Sequence, residues 1–116
     1  MIHEGQIVLF KFPQTDQIQG KLRPALIIRQ IPSSYDDWLI CMISSQLSQL
    51  IPDFDEIIRE EDKDFEKSGL KVSSVIRLSR LAVVNRKVLL GSVGSIDSTR
   101  FVSIRQKLSE WMLGFK

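Results

Sequence analysis

Five residues, Phe101, Ile104, Leu108, Trp111 and Phe115, fall at spacings of three, four, three and four. That is the apolar face of one amphipathic helix, with Asp97 and Ser98 placed to cap its start. Upstream the chain is cut into short runs rich in β-branched and aromatic residues, which read as strands. These are "QIVLFKF" (6–12), "RPALIIRQI" (23–31), "WLICMIS" (38–44), the long "KVSSVIRLSRLAVV" (71–84) and "VLLGSVGSI" (88–96). The third is apolar at nearly every position, so both of its faces should be covered. Polar breaks separate the runs: "PQTDQIQGK" (13–21) is a loop, "PSSYDD" (32–37) and "NRK" (85–87) are turns. Pro24 lacks an N–H and belongs at a strand's first position or on an edge. Gly91 and Gly94 suggest bulges or a close backbone approach. Several strands followed by one helix predict a mainly β (α+β) fold, a small curled antiparallel sheet or barrel closed by the C-terminal helix.

Length and composition narrow the class. At 116 residues, 43% hydrophobic and 26% charged, the chain fits one soluble domain, residues 1–116. No apolar run could span a bilayer, and "MIHEGQ" has no signal-peptide character, so a cytoplasmic location is expected. Cys41 is the only cysteine and sits among apolar neighbours, as a core residue would. His3 is the only histidine. There is no second thiol or histidine for a zinc site, and no HxxxH, CxxC, P-loop or G-x-G-x-x-G motif, so neither metal nor cofactor is expected.

Charge is unevenly spread. Residues 53–67, "DFDEIIREEDKDFEK", hold eight acids and three bases, a net −5. The rest of the chain holds 13 bases and six acids, a net +7. A basic body suits a polyanionic partner, although from charge alone a solvated acidic helix on a mildly basic protein is the better account. The acidic segment reads either as a weak helix or as a strand followed by a short helix ended at Gly69.

Two polar groups stand at strand ends. Arg23 opens the second run and Ser44 closes the third. If those strands are antiparallel neighbours, the two meet at one rim of the sheet. An arginine at a core's edge packs its stem inward and offers a fork of donors that matches phosphate. It could equally pair with a local carboxylate such as Asp16. Arg77 would add to an anion site if it shared that face, and Ser79 would lie on the same side of a regular strand.

"GQIVLFKF", "GKLRPALII", "ICMISSQ", "SGLKVSSVIRLSRLAVV" and "LLGSVGSI", in that order, resemble the MazF and PemK (Kid) toxins over nearly the whole chain. The resemblance implies an SH3-like β-barrel, a homodimer, and a metal-independent endoribonuclease acting on single-stranded RNA under the control of a cognate antitoxin in the bacterial cytoplasm. It implies catalytic roles for Arg23 and Ser44, the latter where MazF proteins usually have threonine. Gln17, Lys21, Ser45, Gln46, Arg77 and Ser79 would then bind RNA. Two positions depart from the Kid branch: Ser79 stands in place of an aspartate, and the first loop has Gln17 where that branch has a histidine. An alternative within the same scaffold is a growth inhibitor that acts by binding protein, as the related CcdB toxins do.

Overall fold

The computed structural model describes residues 2–11 and 22–115. Six strands form one antiparallel sheet: β1 (Gln6–Lys11), β2 (Leu22–Gln30), β3 (Asp37–Ser44), β4 (Glu56–Ile58), β5 (Ser74–Asn85) and β6 (Leu89–Ser95). Their spatial order is β4-β5-β3-β2-β1-β6. A short helix α1 (Phe65–Ser68) follows β4, and α2 (Ser98–Met112) ends the fold. The acidic segment is thus a strand and a short helix. Gly69 stops α1 in the left-handed conformation, at φ 74°.

Alternation along the central strands sends side chains to two faces. Ile7, Leu26, Ile28, Cys41, Ile43, Ile76 and Leu78 form one cluster, together with Ile104 and Leu108 of α2. Val8, Phe10, Ala25, Ile27, Ile40 and Met42 form the other. Both faces of β3 are therefore buried, as its apolar run requires. Ile104 and Leu108 each contribute roughly 1.5–3 kcal/mol of burial that fixes α2 on the first face. Phe101 packs against that cluster and the Trp111 ring lies 5.6 Å from that of Phe54, but Phe115 lies past the helix end and is exposed.

The expected closed barrel is replaced by an open sheet with β4 and β6 at its edges. The reason is α1. It leaves the β4 edge and its C-terminal end packs on β6, so a helix bridges the gap that a ladder would have closed. The approach is backbone to backbone: a Cβ on Gly94 would come within 2.2 Å of the Lys67 carbonyl oxygen, and one on Gly69 within 2.1 Å of that of Val93. Register shifts between β1 and β6 fall where Gly94 gives way to Ser92 and Gly91 to Leu89, the bulges that the glycines suggested.

Pro24 also departs from expectation. It is the third residue of an interior strand, pairing with Leu9 of β1. On the other side the β2–β3 ladder runs only as far as Ala25 with Met42. Pro24 offers no N–H to continue it, and the two strands part beyond that point.

The acidic segment docks on α2. Arg100 donates to Asp64 (2.8 and 3.0 Å), Asp62 (2.9 Å), Glu56 (3.1 Å) and the Ile57 carbonyl (3.0 Å). Lys107 adds a second ion pair to Glu56 at 3.2 Å. Burial favours the neutral form of Asp64, but the Arg100 bonds and the Asp97 N–H outweigh it and hold the carboxyl below the usual range. Asp62 is lowered too, first by the Arg59 N–H and then by Arg100. Asp97 is the helix N-cap residue, yet its side chain makes no capping bond; its N–H instead donates to Asp64 at 3.0 Å.

Candidate functional site

The site lies on the sheet face away from α2, at the mouth where β2 and β3 separate. Ala25 pairs with Met42, and Met42 pairs with Arg77 on β5. These three form one cross-strand row and so share a face. Arg23 and Ser44 each lie two residues beyond the last β2–β3 pair, on the same side of their strands as Ala25 and Met42, and Ser44 pairs with Val75. On the other side Arg23 pairs with Phe10. Strand alternation thus puts Arg23, Ser44 and Arg77 on one face, Arg77 in the Met42 row and Arg23 and Ser44 just past the last β2–β3 pair. Their floor is the apolar cluster of Phe10, Ala25 and Met42.

Each polar group has donors to spare. Arg23 is half-buried and has no ion-pair or hydrogen-bond partner among the described residues. Ser44 Oγ accepts the Gln46 N–H at 3.0 Å, which orients the hydroxyl and leaves its own proton free to be donated outward. Ser45 and Gln46 follow at the rim and are exposed. Arg77 Nη1 donates to Gln49 Oε1 at 3.3 Å, while its Nε is buried without a partner among the described residues. Gln17 and Lys21, like Asp16, lie outside the described residues.

Ser79 has a different place. Between Arg77 and Leu81 strand β5 carries three residues more than β3 does between Met42 and Cys41, so the strand is not regular there. The Ser79 hydroxyl donates to the buried Asp55 carboxylate at 3.1 Å, and its N–H does so at 3.1 Å as well. Asp55 also accepts the Ile51 N–H at 2.9 Å. This side chain therefore ties the 51–55 loop to the bulge rather than facing the Arg23 row. Asp55 and the burial of Cys41 together push that thiol's pKa far up, burial first, which leaves Cys41 inert in the core. His3 is exposed and its N–H donates to Gln6.

A family model described as PemK-like, MazF-like toxin of type II toxin-antitoxin system matches residues 3–112. The chain belongs to that family. No curated protein matches it. Membership implies an antitoxin partner for the toxin. No helix among its described residues is long and apolar enough to cross a membrane.

Three residues of the toxin escaped the sequence reading. Gln49 and Asp55 act across 28 and 24 residues of chain, and nothing local marks them. Arg100 did leave a signal. A cation in the first turn of a helix opposes the helix dipole, so its presence there calls for a compensating anion, and the −5 segment supplies it.

Proposed function

We propose that this toxin is an endoribonuclease that cuts single-stranded mRNA, with residues 1–116 acting as one catalytic domain of a cytoplasmic homodimer. The observation that carries the reading is the placement of Arg23, Ser44 and Arg77 on one face, with donors of each left without partners among the described residues. An SH3-like description suits the curled sheet even though α1, not a strand pair, spans its edges.

In the reaction the ribose 2′-OH attacks the adjacent phosphorus and the 5′-oxygen leaves, giving a 2′,3′-cyclic phosphate and a free 5′-OH. The nucleophile comes from the substrate, so the protein needs no reactive side chain of its own and no metal. Its task is to hold the phosphate and stabilise the phosphorane's added charge. Arg23 is suited to that: oriented donors aimed at a developing oxyanion are worth about 3–4 kcal/mol each. Ser44 donates its free proton to a non-bridging oxygen, and Arg77 supplies a second cation one row away. Arginine cannot serve as the base at neutral pH, so positioning and charge stabilisation dominate and turnover is slow. Ser45 and Gln46 line the RNA path beside them. Dependence on the 2′-OH selects RNA over DNA.

The test is cleavage of single-stranded RNA by the purified protein in EDTA, with Arg23→Ala beside it. The variant is expected to be about 100-fold slower with unchanged melting. Equal cleavage by the two proteins would rule this site out. Inhibition of growth without RNA cleavage would favour action by protein binding.

A further inference from the structure

We propose that Gln49 is a base-reading residue that selects a keto base, guanine or uracil, at one position beside the cleaved bond. The inference rests on the ribonuclease reading above and deepens it.

A guanidinium can only donate. The Gln49 side chain meets Arg77 Nη1 at 3.3 Å, so chemistry fixes which end of the amide faces the arginine: the oxygen. The Nε2 group is thereby turned away from Arg77, and neither of its N–H bonds has a partner among the described residues. The backbone holds the residue in place. Residues Leu47–Gln49 form a 3-10 turn in which the Gln49 N–H donates to the Gln46 carbonyl at 3.0 Å. Below it, Asp55 pins the following loop to β5 through the Ile51 and Ser79 bonds.

Location supplies the second step. Arg77 stands one row from Ser44 on the candidate face. The chain runs from Ser44 through Ser45 and Gln46 directly into the turn that carries Gln49. A nucleotide whose phosphate lies against Arg23 and Ser44 would put its own or its neighbour's base near this amide.

A fixed pair of N–H donors fits an edge made of acceptors. Guanine offers O6 and N7, and uracil offers O4; adenine and cytosine place an amino donor at the equivalent position. An unlocked glutamine could flip and accept from adenine. Here a flip would set the NH2 group against the guanidinium and lose the bond to Arg77, so Gln49 discriminates where a free amide would not.

The experiment is cleavage of a randomised single-stranded RNA pool, with cut sites sequenced, by the wild-type protein, Gln49→Glu and Gln49→Ala. The wild type is expected to favour G or U at one position by about tenfold. Glutamate still accepts from Arg77 but presents a lone pair where the N–H bonds were, so Gln49→Glu should shift that one position toward A or C. Gln49→Ala should flatten it, with preferences elsewhere kept. Wild-type cleavage without a keto preference at any position overturns the inference, as does a preference that survives in both variants. A wild type that neither cuts nor binds single-stranded RNA overturns the ribonuclease reading itself, and this inference with it.

Discussion

Replacing Arg100 by alanine should be among the most damaging single changes to the toxin's stability, although Arg100 is remote from the candidate site. The side chain is 14% exposed and its partner Asp64 only 4%. Deletion removes two bonds to Asp64 and one to the Ile57 carbonyl. Among the described residues the Asp64 side chain then keeps backbone N–H donors alone, those of Asp97 and of Asp64 itself, and no cation. Glu56 retains Lys107, and Asp62 is exposed enough to be rehydrated, so neither adds much. Leaving one buried partner of an ion pair uncompensated costs about 3–5 kcal/mol. For a chain of this size that corresponds to a fall in Tm of roughly 12–20 °C. The assay is urea unfolding at pH 7, repeated down to pH 2. In the wild type, Asp62 and Asp64 have folded pKa values below their unfolded ones, so their stabilisation is present above about pH 4 and is lost as pH falls through the folded values. In Arg100→Ala the buried Asp64 no longer has its cation, and protonation relieves it. The gap between the two proteins must therefore close as pH falls. A loss below 1 kcal/mol at neutral pH, or a gap that stays constant into acid, would refute the argument.

Gly94→Ala should cost about 1–3 kcal/mol, because its Cβ meets the carbonyl backbone of α1's last turn and either β6 or α1 must shift; thermal unfolding measures it. Glu60 and Glu61 are exposed and lie on the segment that docks on α2, so changing both to Gln should leave the salt slope of RNA binding unchanged, whereas a steeper slope would place them beside the RNA path. Trp111, Met112, Leu113 and Phe115 are 50–75% exposed at the end of α2, more apolar surface than a lone 13.3 kDa chain would leave bare; sedimentation at micromolar concentration should give a dimer, and Met112→Glu with Leu113→Glu should shift it toward monomer.

Much of the fold was legible because its signals are local. Runs such as "RPALIIRQI" and "WLICMIS" name their strands by residue type, and the three-four spacing names α2. The acidic segment was ambiguous because Phe54, Ile57, Ile58 and Phe65 satisfy a strand or a helix about equally; pairing of Glu56–Ile58 with β5 decides it. The barrel was overcalled because no periodicity shows that a four-residue helix will occupy the space between two sheet edges. At the site, two-residue alternation in β2 and β3 is enough to put Arg23 and Ser44 on one face. Ser79 is bonded away from the expected side because a strand's two-residue alternation fails inside a bulge, and its partner Asp55 comes from another part of the chain.

The strand order also fixes a timetable. β1 lies between β2 and β6, so on a growing chain it must wait for residues 89–95 before it gains its second neighbour. Arg23, Ser44 and Arg77 have all left the ribosome's catalytic centre by then. The guanidinium that neutralises the acidic segment is made later still, at position 100. While it is being synthesised, the toxin therefore carries its whole candidate site before it can complete its sheet, and completes its sheet before it can dock its most negative stretch. The candidate site is written first, and the ion pairs that stabilise the fold around it come last.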